Sequence, residues 1–193
     1  MQQTRCAWVS QDLIYQDYHD NVWGRPVKDK YELFAKLCLD GQQAGLSWLT
    51  ILKKQHNYYQ AFHNFDPLLI SVMTEDDVER LMQNKGIVRN RLKINAIIKN
   101  ARGFLEIERE GISFADYIWS FVKDEPIINT WIDKNEVPNT TNESDAMSKA
   151  LKKRGFSFVG STICYAFMQA VGLVNDHTTD CFCYLTNPNA FKA

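Results

Sequence analysis

Apolar residues recur every three or four positions along most of the chain, which is the spacing of an amphipathic α-helix. Leu33, Leu37 and Cys38 show this spacing early, and Thr74 followed by acids at 75–77 indicates a helix N-terminus. Gly86 then suits a left-handed helix stop. No alternating run bounded by hairpin turns is present, so the predicted fold class is all-α. Further helices are predicted at about 90–105, 114–122, 144–154 and 161–171.

The chain has the size and composition of a single globular unit, which we expect to span 1–193. Apolar residues make up 45% and charged residues 23%, and this balance excludes wholesale disorder. Residues 123–143 are polar, contain Pro126 and Pro138, and are predicted to form a surface connection. No secretion signal or bilayer-spanning stretch is visible, so we expect a cytoplasmic protein with no membrane partner and with reduced cysteines.

Positive charge is concentrated in one stretch of a chain whose formal net charge is −1. Residues 80–102 include seven Lys and Arg and no acid. Within this stretch, 81–89 joins two predicted helices through a turn at Gly86, which is typical of a helix–hairpin–helix whose backbone N–H groups face a DNA phosphate. We expect Arg89, Arg91 and Lys93 to add charge around that phosphate. A solvated helix face without a ligand is the alternative.

Two pairs of His and Cys near the chain ends form a candidate metal site. His177 and Cys181 are one helical turn apart, and both residue types bind Zn²⁺ well. Cys6 and His19 complete a set of four, with Cys183 as a competing ligand. Four protein ligands fill the tetrahedral coordination of zinc, so a complete site would be structural rather than catalytic. Chance placement is the alternative, because the chain has no compact C-x-x-C pair.

Aromatic residues make up 12% of the chain and crowd its N-terminal segment. The run at 41–47 holds two Gly and two Gln, which favours a loop that lines a pocket, with Asp40 before it and Trp48 after it. Stacking rings and a carboxylate suit a flat, electron-poor or cationic ligand, such as an extruded nucleobase. An aromatic core without a ligand is the alternative. The N-terminal aromatic residues are Trp8, Tyr15, Tyr18 and Trp23.

Several long strings give the chain a resemblance to a known family. They are RCAWV at 5–9, YHDNVWG at 18–24, GQQAGLSW at 41–48, SFV at 120–122, LKKRGF at 151–156 and GLVNDH at 172–177. With these strings in this order, roughly residues 5–183 resemble the DNA-3-methyladenine glycosylase I family, enzymes of bacterial base-excision repair.

The resemblance implies a helix–hairpin–helix glycosylase fold, with the motif at about 75–105 and a structural zinc site joining 1–24 to 172–184. Leu46, which follows Gly45, matches the family residue that fills the gap left in the duplex by the extruded nucleotide. The family's usual residue at position 40 is Glu, so Asp40 is a departure that shortens the side chain by one methylene. The implied zinc ligands are Cys6, His19, His177 and Cys181. The implied base pocket contains Trp8, Tyr15, Tyr18, Trp23, Asp40 and Trp48.

The resemblance also implies a reaction and its partners. The substrate is double-stranded DNA containing 3-methyladenine, the product is free 3-methyladenine, and no obligate protein partner is expected. Because N3-methylation makes the purine cationic, the base leaves readily without a strong general acid. We expect Asp40 and Tyr18 to act as catalytic residues that read the polar edge of the base while water attacks the sugar. A non-catalytic helix–hairpin–helix DNA-binding module and a zinc hydrolase with an open metal position are the alternatives.

Overall fold

The computed structural model describes residues 3–184, and the prediction of an all-α fold is confirmed for them. Only two short strands accompany the helices within this range. The helices are α1 (Leu13–Asn21), α2 (Lys30–Gln43), α3 (Trp48–Leu52), α4 (Gln55–Ala61), α5 (Pro67–Ser71), α6 (Glu75–Met82), α7 (Arg91–Arg109), α8 (Phe114–Trp119), α9 (Asn142–Lys153) and α10 (Ser161–Ala170). The strands are β1 (Ile127–Ile128) and β2 (Val174–Asn175).

Capping residues explain where the helices around the basic stretch begin. Thr74 and Asp77 form a capping box at the start of α6, with each side chain bonded to the other residue's backbone N–H. Asn90 caps α7 by accepting a hydrogen bond from the Lys93 N–H at 3.2 Å. Helix α7 continues to Arg109, four residues beyond the predicted end, because Ile107 is still buried on its apolar face.

Helices α2, α7 and α10 carry most of the core that supports the rest of the molecule. Helix α10 packs against α9 and α2, and α7 packs against α5, α2 and α6. The apolar, central helix predicted at 161–171 is confirmed, since Cys164, Phe167 and Met168 are all fully buried. The polar end of α2, where Asp40 lies, is therefore held between two buried helices.

The polar connection at 123–143 differs from a plain surface loop. Its strand β1 pairs in parallel with β2, with Ile127 opposite Val174. The Ile127 N–H donates to Leu173 O at 2.9 Å and the Asn129 N–H to Asn175 O at 3.2 Å. This pairing fixes the connection against the segment that leads to His177.

Gly172 permits the close approach between the N-terminal and C-terminal parts of the chain. Its φ is +71°, and a Cβ there would lie 2.5 Å from the Pro26 nitrogen and 2.6 Å from the Arg25 carbonyl carbon. Gly111 is a matched control, since its φ is +81° but a Cβ there would meet nothing within 4 Å.

Gly172→Ala is therefore expected to destabilise the protein more than Gly111→Ala does. Both variants carry the left-handed backbone cost of about 1–2 kcal/mol, and Gly172→Ala adds an overlap with backbone worth about 2 kcal/mol. Urea unfolding of the two variants measures the difference. Equal losses of unfolding free energy would show that the contact between Gly172 and residues 25–26 is not tight.

Candidate functional site

A cavity of about 430 Å³ opens beside the polar end of α2. Its volume is in the range of small-molecule sites, which run from about 300 to 1,000 Å³. The structure brings together all six residues that the sequence analysis assigned to a base pocket. They are Trp8, Tyr15, Tyr18, Trp23, Asp40 and Trp48.

Two polar atoms in this cavity wall have no hydrogen-bond partner among residues 3–184. Asp40 is only 3% exposed, and its Oδ2 accepts no hydrogen bond. The indole Nε1 of Trp48 is likewise buried and unpaired. Unsatisfied buried polar groups are costly and rare in folded proteins. An acceptor and a donor left open in one cavity indicate a site for a polar ligand.

Burial also sets the ionisation of the acidic and phenolic groups here. Desolvation raises the pKa of Asp40 to about 8, although the positive charge of Lys36 acts in the opposite direction. Burial, and secondarily the Asp40 charge, raises the pKa of Tyr18 well above its ordinary value. Tyr18 is therefore a neutral phenol, and Asp40 is poised to gain negative charge when a cation or donor enters the cavity.

Two groups of packed rings form the aromatic wall of the cavity. Tyr18 and Trp48 have centroids 5.4 Å apart, and Trp8 lies 5.1 Å from Tyr15 and 5.0 Å from Trp23. These spacings and tilts are those of favourable aromatic pairs. The wall leaves apolar faces next to the open polar atoms, which is the combination that a planar heterocycle requires.

The four predicted metal ligands converge at one buried point. Cys6 Sγ lies 3.5 Å from His177 Nδ1, and Cys181 Sγ lies 3.6 Å from the same nitrogen and 3.4 Å from His19 Nε2. A tetrahedral zinc ion with bonds of about 2.3 Å to sulfur and about 2.0–2.1 Å to nitrogen separates such ligands by about 3.5 Å. The donor atoms fit this geometry along all three of these edges.

The residues around this cluster support the same arrangement. His19 Nδ1 lies 2.7 Å from Asp20 Oδ1, and Arg5 holds the Asp20 carboxylate through Nη2 at 2.7 Å. A carboxylate behind a histidine ligand fixes the orientation of the ring. Cys183 groups with His19 and Asp20 instead of joining the four-ligand set, and its backbone N–H donates to Cys181 Sγ at 3.4 Å.

The hairpin between α6 and α7 differs from its prediction in backbone conformation. Gly86 does not have a positive φ, so the left-handed stop is wrong. Glycine is required there for space, because a Cβ would lie 2.9 Å from Asn57 Cγ. Its carbonyl accepts hydrogen bonds from Asn57 Nδ2 at 3.3 Å and from Lys54 Nζ at 3.5 Å, so α4 and the residue that precedes it support the turn.

The positive charges of the hairpin are fewer than the sequence indicates. Arg91 forms ion pairs with Glu75 and Glu79, because α6 brings its acids against the start of α7. Lys93 is 5% exposed and bonded to backbone carbonyls, so its prediction as a phosphate contact is wrong. Arg89 is exposed and forms no ion pair within 3–184.

Leu46 lies in the loop that connects α2 to α3. It is 41% exposed, and it follows Gly45, whose φ is +75° and whose Cβ position is open space. The loop flanks the cavity, since Gln43 before it and Trp48 after it both line the wall. An apolar side chain is thus presented outward next to the pocket.

Comparison with known proteins identifies the family. The family model described as "Methyladenine glycosylase" matches residues 8–184. DNA-3-methyladenine glycosylase 1 of Escherichia coli (strain K12) is 57% identical over 183 residues, covering 95% of this chain and 98% of that protein. The chain belongs to the methyladenine glycosylase family.

Solved structures of the family superpose closely on this member. A crystal structure of 3-methyladenine DNA glycosylase I gives a TM-score of 0.93 at 60% identity, covering 94% of this chain and 100% of that one. The Staphylococcus aureus enzyme, from a study of the structural basis of 3-methyladenine recognition, gives 0.91 at 39% identity. That match covers 93% of this chain and 96% of the S. aureus chain. No helix within 3–184 has the length and apolar character to cross a membrane.

The far wall of the pocket in this methyladenine glycosylase was missed by the sequence analysis. It comes from α10 and from residues 134–139 of the polar connection. Its organising residue is Asp176, whose buried carboxylate accepts hydrogen bonds from four side chains at 2.6–2.8 Å. The available signals were Trp131 in a polar stretch and Asp176 in the string 172–177. The donors are Asn129, Trp131, Tyr165 and Gln169.

Proposed function

We propose that this chain is a base-excision repair glycosylase that hydrolyses the N-glycosidic bond of 3-methyladenine in duplex DNA. The observation that carries the proposal is the cavity itself, where the unpaired Asp40 carboxylate and Trp48 indole N–H lie among aromatic faces. Family membership supports the same reaction. A DNA substrate implies the compartment that holds the chromosome, which in bacteria is the cytoplasm.

The chemistry of the substrate determines what the residues must do. Methylation at N3 makes the purine cationic and electron-poor, so it departs as a neutral base without a strong general acid. Trp8 and Trp48 stack on the ring and favour the electron-poor purine. Asp40 accepts a hydrogen bond from the polar edge of the base, and Tyr18 donates from its neutral phenol. Water then attacks the sugar as oxocarbenium character develops.

Two features of the surface serve base extrusion in this proposal. Leu46, carried by Gly45, enters the duplex and fills the gap left by the flipped nucleotide. The hairpin at 83–90 presents the exposed Arg89 to the DNA backbone, together with the N–H groups of 85 and 89, which have no acceptor within 3–184. Because Arg91 is paired with acids, we expect few phosphate contacts, and therefore modest affinity for undamaged DNA. The hairpin and the base pocket act as parts of one unit.

We also propose a structural zinc ion bound by Cys6, His19, His177 and Cys181. The proposal is supported by the 3.4–3.6 Å separations between the sulfur and nitrogen donors and by the Asp20 carboxylate behind His19. Four protein ligands leave no position for a reacting water. When bound, zinc supplies cross-linking between the chain ends. It thereby orders Trp23, whose ring centroid lies 4.6 Å from that of His177.

The excision reaction is tested by incubating the protein with methylated duplex DNA and identifying the released bases by chromatography. We expect free 3-methyladenine to appear, and no adenine from the same DNA before methylation. Binding to methylated DNA without release of any base would instead identify a non-catalytic DNA-binding module.

A further inference from the structure

The Lys93 side chain is buried against the C-terminal end of α2. Its Nζ donates to Gln42 O at 2.6 Å and to Ala44 O at 2.7 Å. Carbonyls at the C-terminal end of a helix lack partners inside the helix and carry partial negative charge. The Lys93 ammonium therefore satisfies the last turn of α2 at the point where the loop bearing Leu46 begins.

A second hydrogen bond joins Gln42 and Lys93, with Gln42 as the donor. Gln42 Nε2 donates to Lys93 O at 3.0 Å, and Gln42 Oε1 accepts from the Tyr58 hydroxyl at 3.2 Å. That hydroxyl in turn accepts from the Val88 N–H in the hairpin at 3.1 Å. A buried chain of hydrogen bonds thus runs from the hairpin through Tyr58 and Gln42 to Lys93.

This network lies between two surfaces that must contact DNA together. On one side are the hairpin residues 83–90, and on the other is Leu46, two residues after Ala44. Two residues span at most about 7 Å of chain, so the anchored Ala44 carbonyl restricts where Leu46 can lie. Buried polar networks that are fully satisfied tend to fix a single arrangement.

We propose that Lys93 is a positioning residue that holds the Leu46 loop in register with the hairpin. The inference rests on the proposed function, since it assigns Leu46 to the duplex gap and the hairpin to the DNA backbone. Lys93 touches neither base nor phosphate. It keeps the Leu46 side chain at a fixed distance from the hairpin residues that contact the DNA backbone. Leu46 is therefore already aligned with the duplex when base extrusion begins.

The test is a double-mutant cycle on excision from methylated duplex DNA under single-turnover conditions. We expect Lys93→Met to lower the rate about tenfold, and Lys93→Met in a Leu46→Ala background to add almost nothing. Affinity for free 3-methyladenine should be unchanged, because the pocket does not contain Lys93. The salt dependence of DNA binding should also keep its slope, whereas Arg89→Gln should reduce it.

An unchanged rate for Lys93→Met, or losses that multiply with those of Leu46→Ala, would overturn the proposal. A reduced salt slope would also overturn it, because that result identifies a phosphate contact. Tyr58→Phe, which removes only the hydroxyl that links Gln42 to Val88, gives an independent cycle with Leu46→Ala if Lys93→Met does not fold. Failure of the wild-type protein to release 3-methyladenine would contradict the proposed function itself, and so is distinguishable from these outcomes.

Discussion

Asp40→Asn is expected to lower kcat/KM for excision of 3-methyladenine by about ten- to a hundredfold, the range of one hydrogen bond to a charged group. The substitution keeps the shape of the side chain but removes the ability to become an anion in the buried pocket. Release of 3-methyladenine from methylated DNA, measured at several substrate concentrations, checks the value. Asp116→Asn is the matched control, since Asp116 is an exposed residue of α8, and it should retain wild-type activity.

The same substitution has a pH signature. Because burial raises the pKa of Asp40 to about 8, the ionised fraction increases as the pH rises through that value. The wild-type kcat/KM should therefore rise with pH and level off above about 8, and the Asn variant should lack this rise. A variant with the same pH profile as the wild type would remove Asp40 from the site.

The free energy of unfolding should fall as the pH rises, whereas activity should increase. An acid whose pKa is raised on folding stabilises the fold while protonated, and this contribution is lost as pH rises from the unfolded to the folded pKa. Between roughly pH 4 and 8, the wild type should lose up to about 1.4 kcal/mol per pH unit relative to Asp40→Asn. Urea unfolding of both proteins at pH 5 and 7.5 measures this difference. A constant difference would show that the carboxylate is not desolvated.

Cys181→Ser is expected to reduce the free energy of unfolding by more than about 4 kcal/mol, because it removes a ligand of the proposed zinc ion and loss of a metal is among the largest single-site effects. Cys181 Sγ contacts both His19 and His177, so its removal opens the four-ligand cluster at its centre. Thermal unfolding and zinc content by elemental analysis are the measurements. A strong chelator should destabilise the wild type in the same way.

Cys38→Ala provides the control for that experiment, since Cys38 is equally buried but lies in the core outside the ligand set. It should keep one equivalent of zinc. Cys183→Ala should also keep the metal, because Cys183 is not one of the four converging ligands. Wild-type protein with well under one equivalent of zinc, or with stability insensitive to the chelator, would contradict the metal proposal.

Local sequence signals were sufficient for the helices and for one wall of the pocket. Capping residues such as Thr74 and Asn90 bond to backbone N–H groups only a few positions away in sequence. Their effect on helix starts can therefore be predicted from sequence. The loop at 41–47 indicated a pocket beside Asp40 and Trp48, but the family resemblance was needed to assign Trp8 to the same pocket, because spacing along the chain does not report distance in space.

The predictions that differ from the structure concern residues whose partners are distant in sequence. The basic stretch contains no acid in sequence, yet Glu75 and Glu79 reach Arg91 once α6 folds back on α7. Lys93 was assigned to the surface because its partners, the carbonyls at the end of α2, are about fifty positions away in sequence. Asp176 was missed for the same reason, since two of its four donors lie in a polar connection with no strong pattern.

Binding of free 3-methyladenine, measured by isothermal titration calorimetry, tests most directly the claim that this cavity selects the methylated base. We expect one site per chain, binding of adenine at least about tenfold weaker, and a comparable loss of 3-methyladenine affinity in Asp40→Asn. No binding by the wild type, or equal affinity for both bases in the two proteins, would contradict it.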